Sequence, residues 1–177
     1  MRAVGIDWGS KSIDIALLTG GRKIKVTRFA SAELPQAQTE EQYFENSEAI
    51  LSELFRKHRF PRDRVVVGLP MQEAMLRELT VPFTSDEQIR KVIKFEVENY
   101  LPAFSIDDLV VDSYRLETTG EKTRLMAIAI EKKKLAQRLA VLHRLDIDPI
   151  AVDLDVMCIY NAVAASDLVR ELNSFLV

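Results

Sequence analysis

One stretch constrains this chain more than any other: residues 4–18, VGIDWGSKSIDIALL. Two runs of Val, Ile and Leu flank a short polar elbow. Each run is too short for a helix and rich in β-branched residues, so the stretch reads as two strands, 2–7 and 12–18, folding back on one another. A hairpin at the N-terminus commits its neighbours in the chain to a sheet. The elbow holds more than a turn needs, with Asp7, Gly9, Ser10, Lys11 and Ser12 falling within six positions.

Gly20-Gly21 marks a tight turn into a third strand, RKIKVTRFA, where Ile24 and Val26 alternate with Lys25 and Thr27. That alternation predicts one wet face and a place near a sheet edge. A helix is expected over roughly 40–58, opened by Thr39 with Glu41 and Gln42. Its apolar stripe is Tyr43, Ile50, Leu51, Leu54 and Phe55, and Phe60-Pro61 ends it. The unbroken valines of DRVVVGLP predict a strand covered on both faces.

The pattern changes from Met71. MLRELTVP reads as a strand. Residues 84–102 read as a helix capped by Thr84 or Ser85, with acids in its first turn and Pro102 as its stop. LVVDSYRLETTGEKTRLMAIAI is a hairpin around Thr-Thr-Gly-Glu, and EKKKLAQRLAVLHRLDI a helix with Leu135, Leu139 and Leu142 inward. Then PIAVDLD is a strand, and LDVMCIYNAVA a helix. Asp153 and Asp155 flank the step between them, where capping is the better reading and approach to a metal in the cleft the alternative. The last residues, SDLVRELNSFLV, keep helical spacing, and their apolar end suggests a piece of a longer chain. The first and last parts are expected to share one sheet, residues 1–71 with 148–177. Residues 72–147 are expected to form a small α+β unit inserted within it.

The elbow can be read in two ways. Asp-X-Gly-Ser is good turn chemistry in its own right. It also has the parts of a phosphate cradle: Gly9 for positive φ and close approach, Ser10 and Ser12 as hydroxyl donors, and Lys11 as a point charge. Asp7 would repel a phosphate, so its place in such a cradle is to hold Mg²⁺ or the ion's water shell. The pattern is neither a P-loop nor a Gly-X-Gly-X-X-Gly fingerprint.

Composition narrows the function classes. A net charge of −3 and a pI near 5.5 argue against nucleic acid as a partner, and the short basic run at 131–134 reads as a solvated helix start. His58 and His143 have no companion at ligand spacing, so zinc is not expected. Cys158 is the single cysteine and is expected to be a buried, inert thiol, which suits a reducing compartment. No segment reaches the ~18 apolar residues of a membrane span, so direct membrane insertion is not expected. Asp7 interrupts the N-terminal apolar run too early for a signal peptide.

The sequence resembles a known family. VGIDWGSKSIDIALL is similar to the first phosphate loop of actin-like ATPases. VVVGLPMQEAMLRELTVP, followed by EQIRKVIKFEVENYLPAFSIDDLVVDSYRL and LDIDPIAVDLDVMCIYNAV, resembles PilM, the actin-like protein of type IV pilus assembly. The resemblance spans nearly the whole chain but only the first half of a family member. It implies an α/β fold, half of an actin-like (RNase H-like) ATPase with an inserted small α+β subdomain. By position it gives Asp7, Gly9, Ser10, Lys11 and Ser12 the cofactor-binding role for ATP, and Asp7 the Mg²⁺. It implies a cytoplasmic scaffold, peripheral to the inner membrane. Such a scaffold grips the N-terminal peptide of a PilN-type partner in a groove between the core half and the insertion, and homo-oligomers are left open. It implies at most a weak ATPase, with this chain alone inactive. The alternatives are the cytoplasmic domain of a type II secretion platform protein and an actin-fold small-molecule kinase.

Overall fold

The structure, a computed structural model, describes residues 2–21, 24–101 and 103–165. Its strands are β1 (Arg2–Trp8), β2 (Ser12–Gly20), β3 (Ile24–Glu33), β4 (Val65–Leu69), β5 (Ala74–Val81), β6 (Leu109–Thr119), β7 (Lys122–Glu131) and β8 (Pro149–Leu154). The helices are α1 (Glu40–His58), α2 (Asp86–Tyr100), α3 (Lys132–Arg144) and α4 (Asp155–Ala164). Two compact units result, Met1–Met71 with Leu139–Val177, and Gln72–Arg138.

The first unit is built on a five-stranded sheet in the order β3-β2-β1-β4-β8. β1 and β2 form the N-terminal hairpin and pair antiparallel, with Trp8 opposite Ile13 and Asp7 opposite Asp14. β4 runs parallel to β1 and β8 parallel to β4. The chain's alternation then sorts the two faces. Val4, Ile6 and Trp8 of β1 lie beside Leu17, Ile15 and Ile13 of β2 and are buried with them. α1 covers that face with Leu51, Leu54 and Phe55, and the Trp8 indole donates to the buried hydroxyl of Ser47 at 3.2 Å. Gly5, Asp7, Asp14, Ala16 and Gly68 occupy the other face, where α4 begins.

α1 starts as its cap residues predict. The Thr39 hydroxyl accepts from the Gln42 amide at 3.2 Å, and the Gln42 side chain accepts in turn from the Gln38 amide at 2.8 Å. Arg59 closes the helix in the left-handed region, at φ 50°.

β3 lies at the edge, as its alternation suggests, but Ile24 and Val26 are 64% and 61% exposed rather than covered. Residues 24–29 are exposed on both faces, so this part of the strand has no covered side, and a bulge interrupts its pairing. Leu17 pairs with Arg28 while Leu18 pairs with Val26, so Thr27 is the extra residue, and its hydroxyl donates to the Leu17 carbonyl. One extra residue rephases every side chain before it.

The second unit is a three-stranded antiparallel sheet in the order β5-β7-β6, with α2 on one face. Ile89, Ile93 and Val97 of α2 meet Leu79, Val81, Leu109, Leu125, Ala127 and Ala129. Ser85 occupies the cap position of α2 without a side-chain hydrogen bond, and Gly120 turns the β6–β7 hairpin at φ 58°. Arg138, nearly fully buried, forms an ion pair with Glu73. The second boundary between the units falls inside α3, nine residues before the position expected from sequence. The end of α3 is tied to the first unit, since Arg144 pairs with Glu48 and Arg62 donates to the Leu145 carbonyl. Pro102 and the helical pattern of residues 166–177 lie outside the described residues.

Candidate functional site

The hairpin register decides what stands beside Asp7. Its antiparallel neighbour is Asp14 on β2, and its parallel neighbour is Gly68 on β4. Gly68 in turn pairs with Asp153 on β8, after which the chain turns into α4 at Asp155. Gly68 faces the start of α4: a Cβ there would meet the Cys158 sulfur at 3.5 Å and the Asp155 Cα at 3.9 Å, both ordinary contacts. Asp7, Asp14 and Asp155 thus line one cavity of about 370 Å³, walled otherwise by small and apolar groups including Ala16, Phe29, Cys158 and Ile159.

The electrostatics of this cavity are unbalanced. Asp7 is exposed as a residue, yet partial removal of water from its carboxyl pushes it above its ordinary range, and repulsion first from Asp14 and then from Asp155 adds to the rise. Among the described residues, no side chain or amide donates to the Asp7 carboxylate and no cation pairs with it. Asp14 accepts from the Ser12 hydroxyl at 3.1 Å. Asp155 accepts from the amides of Met71 at 3.0 Å and Val156 at 2.6 Å. Burial, then Asp153, Asp7 and Asp155, push the Cys158 thiol up, so it stays protonated. Cys158 is half-buried and lines the cavity, not enclosed in the core as expected.

The elbow itself faces a second, larger cavity of about 900 Å³, lined by Ser10, Lys11 and Ser12, the 33–39 segment, and Tyr43. Two expectations for it are corrected here. Gly9 does not adopt positive φ; what requires glycine is space, because a Cβ would lie 3.2 Å from the Ser12 carbonyl oxygen. The Gly9 amide donates to that same oxygen at 3.1 Å, and its carbonyl accepts from the Tyr43 hydroxyl at 2.9 Å. Gly9 therefore shapes the turn and has no amide left for a ligand. The Ser12 hydroxyl is likewise turned to Asp14. Among the described residues, the amides of Ser10 and Lys11 donate to no protein acceptor and the Lys11 ammonium pairs with no carboxylate. Those donors, with the Ser10 hydroxyl, remain for an anion.

A cation-seeking carboxylate, Asp7, thus lines one cavity, and anion-seeking groups at Ser10 and Lys11, three and four positions on in sequence, line the other. Among the described residues, no three His, Cys, Asp or Glu side chains are arranged to hold a metal by themselves. That donor set suits Mg²⁺, which keeps several waters and takes one or two carboxylates together with phosphate oxygens.

Sequence reasoning singled out Asp7 and missed Asp14. A signal was available: a hairpin turning at 10–11 places 7 opposite 14, because paired positions sum to the same number, 21, along the ladder. Asp153 and Asp155 were expected to cap α4, but Leu154 holds the cap position. Asp153 binds the Leu154 amide, and Asp155 reaches across to Met71.

The sequence matches the family model of the type IV pilus assembly protein PilM over residues 5–174. This chain belongs to the PilM family. Among solved structures it is similar to the PilM–PilN type IV pilus biogenesis complex, at 22% identity and a TM-score of 0.81, over 93% of this chain and 51% of that one. It is also similar to the cytoplasmic domain of EpsL, an inner-membrane component of the type II secretion system of Vibrio cholerae. That match has 17% identity and a TM-score of 0.61, over 89% of this chain and 58% of that one. At these identities the likeness shows the fold alone, a mixed α/β half of the actin-like ATPase fold with an inserted subdomain. The chain spans little more than half the length of the structures it matches. Compared with curated proteins, the sequence finds no match. No helix among the described residues is long and apolar enough to cross a membrane.

Proposed function

We infer that this PilM-family chain is the first half of an actin-like scaffold for type IV pilus assembly, and that its β1–β2 hairpin takes part in binding ATP with Mg²⁺. The observation that carries the nucleotide reading is the nearness of opposites along the hairpin. An unpartnered, partly desolvated carboxylate at Asp7 stands a few residues from unused donors at Ser10 and Lys11. In this reading Asp7 holds the hydrated ion, and Lys11 with the Ser10 and Lys11 amides holds phosphate oxygens. Asp14 keeps the Ser12 hydroxyl out of the phosphate's path. Mg²⁺ when bound supplies charge neutralisation between the phosphates and Asp7. The residues bind and orient nucleotide, and turnover is slow or incidental.

The partner in this reading is a PilN-like inner-membrane protein, held through its N-terminal peptide, with the scaffold on the cytoplasmic side. Its support is the family match together with the likeness to the PilM–PilN complex.

Isothermal titration of Mg-ATP into the full-length protein carrying this chain tests the nucleotide reading. Micromolar binding is expected, weakened about tenfold or more by Asp7→Asn, a loss of about 1.4 kcal/mol, and also weakened by Lys11→Ala. Equal affinity in Asp7→Asn and wild type would remove the hairpin from the nucleotide site.

A further inference from the structure

The Asp155 carboxylate joins two places that are far apart in sequence. One of its oxygens accepts from the Met71 amide at 3.0 Å, across 84 residues, and from the Val156 amide at 2.6 Å, while the other has no donor among the described residues. Met71 is the last residue of the first unit before the chain departs into the inserted one. It follows β4 directly after Pro70, which has no amide hydrogen of its own to fix that exit. Asp155 therefore ties the start of that exit to the first turn of α4 through a side-chain hydrogen bond.

The same carboxylate lines the cavity of Asp7, and repulsion between the two is part of what unsettles Asp7. A cation beside Asp7 reverses the sign of that interaction. Asp155 is then drawn toward the cavity through its unused oxygen instead of being pushed from it, and the oxygen that holds Met71 loses freedom. The bond to Met71 and the cation contact use different oxygens, so they reinforce one another rather than compete.

We propose that Asp155 couples the Asp7 cation–nucleotide site to the Met71 junction, so that binding Mg-ATP stiffens the point where the chain leaves the core for the inserted unit. The inference rests on the nucleotide reading above and adds to it a route by which occupancy reaches the insertion. Asp155 acts here as a positioning residue. Coupling of this kind requires only that the ligand favour one arrangement of a shared group.

Amide hydrogen exchange at residues 69–73 in the full-length protein, with Mg-ATP, with Mg²⁺ alone and without either, tests it, with binding followed in parallel by titration calorimetry. In wild type, Mg-ATP is expected to slow exchange of the Met71 amide severalfold. Asp155→Asn keeps an acceptor for Met71 but not the charge, so its basal protection should resemble wild type while the response to Mg-ATP disappears. Asp155→Ala should exchange fast with or without ligand. If Mg-ATP binds wild type but leaves Met71 exchange unchanged, or slows it equally in Asp155→Asn, the coupling is wrong and the nucleotide reading stands. If Mg-ATP does not bind wild type, both are wrong.

Discussion

Asp7 is a residue whose ionised form the fold disfavours. Its carboxyl is held above the ordinary range by desolvation, Asp14 and Asp155, so the folded state binds its proton more tightly than the unfolded chain does. By linkage, the stability this gives is present at low pH and is lost as pH rises through the folded-state value. Asp7→Asn removes the charge and is therefore expected to raise the unfolding midpoint at neutral pH. The gain should be below about 1 kcal/mol because the group is partly solvated, and it should vanish on acidification into the carboxylate range. Ser47→Ala removes a buried hydrogen bond to the Trp8 indole and should cost about 1 kcal/mol in chemical denaturation. Asp7 was legible in the sequence because a lone acid ending an apolar strand is conspicuous. The function of Gly9 was misread, because a glycine kept for φ and a glycine kept for space look alike until the neighbouring carbonyl is placed.

The strands and helices were legible almost to their ends, because hydrophobic period, caps and turn residues agree with one another. Thr39→Ala should lower stability by about 1 kcal/mol, since the Thr39 hydroxyl caps α1. In the inserted unit, Ile93→Ala empties part of the α2 core and should cost about 2–4 kcal/mol. Glu73→Ala removes one charged partner of the buried Arg138 and should cost about 2 kcal/mol, the loss of a charge-assisted hydrogen-bonded pair. All are measured by denaturant melts of the chain. What escaped the sequence at this scale was β3. Its alternation was real, but the bulge at Thr27 is a property of the pairing with β2, and no periodicity within one strand reveals it. For the acids at the start of α4 the sequence left two readings, a cap or a place in the cleft, because whether an Asp caps its own helix or reaches a distant amide depends on what the tertiary fold brings near.

At the scale of the molecule, the order of elements was enough to place a discontinuous core around an insertion. Two parallel pairings, β1 with β4 and β4 with β8, each require a crossover connection, and the sequence supplied α1 for the first and the whole inserted unit for the second. The division inside α3 was not legible, because a continuous amphipathic helix carries no mark where it passes from one core to another. Such a half-fold offers only part of a nucleotide's contacts. If a complete actin-like pair binds at micromolar strength, about −8 kcal/mol, half the contacts leave about −4 kcal/mol, or millimolar binding.

The most direct test is therefore an NMR titration of this chain with Mg-ATP, following backbone amides. Millimolar binding is expected, with the largest shifts at Ser10 and Lys11, small ones at Gly9, and loss of the response in Asp7→Asn. Saturation at micromolar nucleotide, or a response that leaves Ser10 and Lys11 unmoved, would contradict the assignment of the hairpin as half of a shared nucleotide site.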